Sequence, residues 1–163
     1  MQKTEIIQNK IYSVEAIKSQ LNIWRFKDKK IVFTNGCFDL LHLGHIDYLS
    51  KAADFGDIMI IGLNSDKSVT HIKGSNRPIT DEKSRSAILA SLFFVDAIIL
   101  FDEATPRNLI EIIQPDVLIK GSDYKAEDIV GYDIVKAKGG QIITLDFLPG
   151  YSTTIIENKI KGL

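Results

Sequence analysis

The sequence predicts an α/β fold built on a doubly wound, mostly parallel sheet. Three observations carry this reading. From residue 31 onward, short β-branched runs alternate with segments of helical spacing. Some of the short runs, such as Ile58-Met59-Ile60-Ile61, are apolar without alternation, the pattern of strands buried on both faces. Polar or glycine-containing turns then follow those runs, where such sheets bind ligands.

The elements follow in order. Ser13 caps a helix carrying Val14, Ile17, Leu21 and Trp24 at helical spacing, and Lys27 to Lys30 end it in a polar turn. Residues 1–29 thus form an N-terminal helical extension to a single domain over 30–163. Ile31 to Thr34 is the first strand of that domain. Residues 42–55 are helical, with Leu41, Ile46, Leu49 and Ala52 or Ala53 on one face. Ile58 to Leu63 is a buried strand. A short helix over 66–72 and a longer one over 80–94 come next. Ala97 to Phe101 is another buried strand. Thr105 caps a helix with Pro106 at its first position. Val117 to Lys120 and Gln141 to Leu145 are further strands, and Ser152 or Thr153 caps a last helix through Lys161.

Composition narrows the function classes. The 163 residues suffice for one domain with a sizeable core. The net charge of −1 gives no bulk reason to expect nucleic acid or a membrane surface. One cysteine, Cys37, excludes an intrachain disulfide and suits a reducing compartment. No run reaches the roughly 18–20 apolar residues of a membrane span, and the polar start does not resemble a signal peptide. A cytoplasmic protein is the expectation.

The chemistry concentrates in Thr34-Asn35-Gly36-Cys37-Phe38-Asp39-Leu40-Leu41-His42-Leu43-Gly44-His45. Thr34 to Gly36 lie at the carboxyl end of the first strand, and Gly36 permits either a close backbone approach or a positive φ. The following helix start offers free N–H groups and a favourable dipole to an anion. His42 and His45, three residues apart, share a helix face and can meet one phosphate. Asp39 is placed to orient a histidine or the turn backbone. A lone His-x-x-His pair is more often packing or surface than site, and a zinc pair prefers spacing of four. The strand, Gly-x-Phe-Asp and His-x-Gly-His together are much more specific.

This segment resembles the first motif of the His-x-Gly-His nucleotidyltransferase superfamily, the cytidylyltransferase-like proteins. More narrowly, the chain from about Lys30 onward is similar to the D-glycero-β-D-manno-heptose 1-phosphate adenylyltransferases of ADP-heptose biosynthesis. The resemblance implies a Rossmann-like fold and transfer of AMP from ATP to a sugar 1-phosphate, with Mg²⁺ accompanying the ATP. It also implies a homodimer. In many bacteria this activity is fused to a sugar kinase; the present length leaves no room for one, so a separate kinase is expected to supply the sugar 1-phosphate.

Further segments fit that resemblance. Asn64 and Asp66 close the second buried strand, either as polar groups for sugar hydroxyls or phosphate or as an Asx-type turn capping a helix. Lys73-Gly74-Ser75-Asn76-Arg77-Pro78 is a loop with two cations. On composition it is a solvated loop; the resemblance makes it a lid in which Lys73 and Arg77 neutralise phosphate charge. Arg85 matches an arginine of the wider group, or pairs locally with Asp81 or Glu82. Lys120-Gly121-Ser122-Asp123-Tyr124 stands where the heptose enzymes have Lys-Gly-Gly-Asp-Tyr, with Ser122 for the second glycine. Asp123 can accept from an amino group or reach a metal-bound water. Ser152 and Thr153 open the last helix as a second anion site, and the resemblance gives them the β- and γ-phosphates.

The expected assignments are therefore as follows. His42, His45 and Lys73 act on the reacting phosphates. Thr34, Asn35, Gly36, Cys37, Phe38, Lys120, Gly121, Asp123, Ser152 and Thr153 bind the nucleotide with the two histidines. Asn64, Asp66, Lys73 and Arg77 bind the sugar phosphate. No residue is assigned to hold a metal. The nearest enzymatic alternative is a glycerol-3-phosphate cytidylyltransferase, whose Arg-Thr-x-Gly-Ile-Ser-Thr-Thr string has Phe147 here in place of the arginine. Phe147 itself reads as core. A non-catalytic nucleotide-binding module on the same fold is the alternative of another class.

Overall fold

The structure is a computed structural model and describes residues 2–123 and 125–162. Tyr124 of the Lys-Gly-Ser-Asp-Tyr string lies outside the described residues. The elements run α1 (Lys3–Gln8), β1 (Ile11–Tyr12), α2 (Val14–Phe26), β2 (Ile31–Gly36), α3 (Leu43–Ala53), β3 (Ile58–Asn64), α4 (Asp66–Lys73), α5 (Glu82–Ala90), β4 (Ala97–Phe101), α6 (Arg107–Ile113), β5 (Val117–Gly121), α7 (Tyr132–Ala137), β6 (Gln141–Leu145) and α8 (Thr153–Lys161). The strands form one all-parallel sheet in the order β1-β4-β3-β2-β5-β6. This is the doubly wound α/β fold read from the sequence.

The continuous apolar strands are buried on both faces, and the two-residue period of a strand sorts them. Ile31 and Phe33 of β2, Ile60 of β3, Ile99 of β4 and Leu118 of β5 join one core with Ile17 and Leu21 of α2, Ile110 of α6 and Val135 of α7. Val32, Met59, Ile61, Ile98 and Ile119 face the other way, onto Leu49 and Ala52 of α3 and Leu89 and Ala90 of α5. Each large side chain taken fully from water contributes about 1.5–3 kcal/mol.

Local chemistry sets the helix ends. Ser13 accepts from the Ala16 N–H at 3.1 Å and caps α2, and Ser152 accepts from Ile155 at 3.2 Å and caps α8. Asp81 caps α5 through the Ser84 N–H at 2.8 Å. The helix expected over 80–94 stops at Ala90. The turn after it buries Val95 completely and lets the Asp96 carboxylate accept from the Met59 N–H at 2.8 Å, fixing the start of β3. Thr105 does not cap α6. Pro106 takes that position, its carbonyl accepting from Ile110 at 2.9 Å, and the helix begins at Arg107.

Residues 1–29 hold more than the one helix read from the sequence. Ile11 and Tyr12 pair with Ile98 and Ile99 as an edge strand, and α1 packs on α5. Lys10 donates to the Leu92 carbonyl at 3.0 Å, and Trp24 meets Tyr12 edge to face.

Candidate active site

Strand order reverses between β2 and β5, and this is the switch point at which such sheets bind ligands. The β2–β5 ladder pairs Val32 with Val117 and Phe33 with Leu118 and goes no further, so the carboxyl ends separate. A side chain takes over from the ladder. The Thr34 hydroxyl, fully buried, donates to the Ile119 carbonyl at 3.0 Å and receives the Tyr48 hydroxyl at 2.8 Å. Thr34 thereby ties β2 to β5 and α3, with its side chain turned into the protein.

Above this tie, Asn35 and Lys120 face each other across the split, Lys120 Nζ donating to Asn35 Oδ1 at 2.5 Å. Burial drives the Lys120 pKa down to about 8, with Asp123 and Cys37 acting against the fall. Gly36 ends β2 with a negative or extended φ; its use is close approach, since a Cβ there would sit 3.0 Å from the Phe38 ring. The left-handed residues are instead Phe38, at φ +46°, and Leu40, at φ +50°.

Between those two lies Asp39, 2% exposed. Its carboxylate accepts from the N–H groups of Ile79 (2.8 Å) and Thr80 (3.0 Å), the Thr80 hydroxyl (2.9 Å) and Arg77 (3.0 Å). Burial alone would raise its pKa; these donors outweigh that and hold it below the usual carboxylate range. Its backbone carbonyl accepts from the Thr153 hydroxyl at 2.8 Å. Asp39 therefore orients turn backbone, one of its two expected roles, but the turn belongs to the loop before α5. The Cys37 side chain is partly buried, and burial pushes its thiol pKa up, so the sulfur stays protonated.

The two histidines stand together. His42 is the residue before α3, His45 lies in its first turn, and their rings stack at 3.8 Å with an 18° tilt. The His42 N–H donates to His45 Nδ1 over a long 3.4 Å, which leaves the His45 proton on Nε2. Burial, helped by the neighbouring charges of His42 and Lys73, drives the His45 pKa down to about 4. Burial lowers that of His42 too. Both are neutral hydrogen-bond donors at neutral pH. Phe38 meets His45 edge to face at 5.4 Å. Gly44 leaves room between them for a neighbour, and that neighbour is Tyr151, whose Cβ would be 3.1 Å from a Cβ at Gly44.

That contact brings the start of α8 beside the start of α3. The first turns of two helices thus meet in one region, with Ser152 and Thr153 at the second. Among the other expected residues, Lys73 ends α4, is exposed, and its charge is felt at His45 and Cys37. Arg77 pairs with Asp39 and with Glu157 of α8, so it clamps the loop to both. Asn64 is 4% exposed and donates to Ser68 Oγ at 3.0 Å, while Ser65 caps α4. Asp66 pairs with Arg85 at 2.7 Å. Gly121 ends β5 under the Phe147 ring, and Asp123 is exposed beyond it.

Arg85 has a wider reach than its spacing suggested. It is 2% exposed and does not pair with Asp81 or Glu82. Its guanidinium donates to the carbonyls of Cys37 (2.7 Å), Asn64 (2.8 Å) and Thr80 (3.0 Å) as well as to Asp66. Tyr48, not singled out in the sequence, lies one turn beyond His45, and that spacing was the available signal. A cavity of about 680 Å³ lies between α3, α5 and α8, with His42, Phe38 and Arg85 of this site in its lining. Its walls are mostly apolar, among them Leu43, Ile46, Ile88 and Ile156, and neither Lys73 nor Lys120 lines it.

Comparison with known proteins adds the family. Residues 33–159 match the family described as cytidylyltransferase-like. The bifunctional protein HldE of Geobacter metallireducens is 48% identical over 93% of this chain, and its namesake in Campylobacter jejuni subsp. doylei is 49% identical over 94%. The chain spans about a third of the length of these relatives, 31% and 33%. Among solved structures, a lipopolysaccharide core biosynthesis protein from Thermoplasma volcanium has a TM-score of 0.59 at 31% identity, over 74% of this chain and 97% of its own. The pantoate–β-alanine ligase of Francisella tularensis, at 20% identity and a TM-score of 0.60, covers 94% of this chain and 78% of its own and shares the fold. A match that spans most of the domain, with the stacked His42 and His45 at the switch point of its sheet, places this chain in the cytidylyltransferase-like family.

Proposed function

We propose that this protein transfers AMP from ATP to D-glycero-β-D-manno-heptose 1-phosphate, giving ADP-heptose and pyrophosphate. The observation that carries the reading is the meeting of two helix N-termini beside a stacked, neutral histidine pair. That arrangement suits a polyphosphate more than any other ligand class. The choice of sugar rests on the resemblance at Lys73-Gly74, Arg77-Pro78 and Lys120 to Asp123. The relatives named above fit it.

In the reaction, a phosphate oxygen of the sugar attacks the α-phosphorus of ATP in line, and the bond to the bridging oxygen of pyrophosphate breaks. The nucleophile is already ionised at neutral pH, so no base is needed. Positioning and charge stabilisation do the rest. His42 and His45 donate to α- and β-phosphate oxygens as charge builds there. The Ser152 hydroxyl and the backbone N–H groups of the α8 N-terminus, that of Thr153 among them, hold the departing pyrophosphate, while the Thr153 hydroxyl stays on the Asp39 carbonyl. Lys73 and Lys120 add positive charge from opposite sides, and Arg77 keeps the loop shaped.

Mg²⁺ accompanies ATP in this reading and neutralises part of the triphosphate charge. Among the described residues no group of three His, Cys, Asp or Glu side chains converges. The donors present therefore suit a cation carried mainly by phosphates. The sugar 1-phosphate would come from a phosphorylating enzyme acting before this one, and a homodimer belongs to the same reading.

The deciding experiment sets ATP, CTP, GTP and UTP against the heptose 1-phosphate and glycerol 3-phosphate, with pyrophosphate release as readout. Turnover is expected with ATP and the heptose alone. Turnover confined to CTP and glycerol 3-phosphate overturns the assignment, and no turnover with any pair favours a binding module. A pH series tests Lys120. Its charged form exists below its pKa of about 8, so kcat/KM for ATP should hold near neutral pH and fall as pH rises through that value. A Lys120→Ala variant should lose that alkaline limb.

A further inference from the structure

Phe147 reads as core in the sequence, yet it is 55% exposed. It lies on the segment that leads from β6 to α8, at the carboxyl end of the sheet. Other exposed phenylalanines differ in placement. Phe26 ends α2 and Phe93 follows α5, outside the carboxyl-end crevice. Phe147 is instead seated against the end of β5. A Cβ built on Gly121 would fall 2.2 Å from its Cζ and 2.5 Å from its Cε2, so the ring occupies the space a side chain would take there. The Tyr48 ring supports it from the protein side, with centroids 5.8 Å apart and a 33° tilt. Tyr48 in turn is fixed by Thr34. One part of the ring is thus propped by a rigid base while the rest stays open to solvent.

An acceptor lies next to it. Asp123 Oδ1 would be 2.6 Å from the same Gly121 Cβ position, so a carboxylate and an open aromatic face flank one point at the rim of the crevice. Lys120, one residue before that glycine, bonds Asn35 across the split and lies within reach of the Asp123 charge. A flat π surface beside a hydrogen-bond acceptor complements a nucleobase that carries an amino group.

We propose that Phe147 is a specificity residue whose exposed face stacks on the nucleobase, with Asp123 accepting from the exocyclic amino group. A purine covers more of the ring than a pyrimidine, so the contact favours ATP over CTP. This rests on the reading of the site as nucleotide-binding, and the test separates the two. Calorimetric titration with Mg²⁺-ATP, Mg²⁺-CTP and Mg²⁺-tripolyphosphate compares the wild type with Phe147→Ala, Phe147→Leu and Phe147→Trp. Base–aromatic stacking of ordinary strength predicts that F147A weakens ATP by about 10- to 100-fold. CTP should lose less, and tripolyphosphate, which has no base, should change less than about twofold. F147L keeps apolar contact with Tyr48 without a π face and should resemble F147A, whereas F147W should restore ATP affinity. ATP affinity unchanged in F147A overturns the inference, as does tripolyphosphate falling as far as ATP in both F147A and F147L. A wild type that binds neither ATP nor tripolyphosphate overturns the nucleotide reading itself. A wild type that turns over ATP with F147A its equal overturns only the stacking.

Discussion

Alanine in place of His42 or of His45 is expected to lower turnover by about 10²–10³-fold, the effect of losing one preorganised donor to a developing oxyanion. The size follows from the state of the pair. Burial keeps both rings neutral in the free protein, with His45 charged only below about pH 4. Phosphate charge arriving nearby favours the protonated forms, so each ring binds more strongly as negative charge accumulates on the reacting oxygens. A contact that strengthens along the reaction raises kcat, whereas an equal contact throughout would only lower KM. The loss should therefore fall on kcat. Because the rings stack at 3.8 Å, each holds the other's orientation, and the double variant should lose less than the product of the singles. From pH 5 to 7 His45 should contribute no inflection to kcat/KM. Near-normal rates in both single variants would remove the pair from the mechanism.

Arg85→Leu is expected to cost about 3 kcal/mol of folding stability, because it strands three carbonyls at about 1 kcal/mol or more each. The Asp66 ion pair adds little to that figure, since the aspartate is 39% exposed and regains water. The Asn64 carbonyl is buried and those of Cys37 and Thr80 are partly so, in a site where the arginine itself is 2% exposed. For a domain of this length the melting temperature should fall by roughly 6–12 °C. Arg85→Lys should recover only part of this, because one ammonium cannot span four acceptors on separate segments. Thermal unfolding of both variants checks the result, and a leucine variant within 1 °C of wild type would refute it.

The two residues show what a sequence displays and what it hides. His42 and His45 are legible because their meeting is local; a spacing of three on a helix brings the rings together whatever the rest of the chain does. The buried strands are legible for a similar reason, since a run such as Ile58 to Leu63 has no polar face to offer. Arg85 and Asp39 are hidden because three of the four partners of the first lie 19 to 48 residues away and the side-chain partners of the second 38 to 41. Only the assembled sheet brings those segments together. Arg77 reads as a cation for a ligand, and in the fold its charge is already answered by Asp39 and Glu157. The two-residue strand at Ile11–Tyr12 is shorter than any periodicity can register. Phe147 reads as core by its residue type but is 55% exposed, and its seat against the sheet depends on a glycine 26 positions earlier in another strand.

The left-handed backbone at Phe38 and Leu40 bears on when energy is supplied to the reaction. Non-glycine residues in that conformation cost about 1–2 kcal/mol each. Here they flank Asp39, whose buried bonds to Ile79 and Thr80 come from the protein itself and hold the loop in shape. The distortion is therefore met once, during folding, and is not charged again each time a substrate arrives. A looser loop, with glycine at either position, would relieve the folded chain and transfer the ordering step to every catalytic cycle. In that sense the protein holds part of its stability in reserve as readiness.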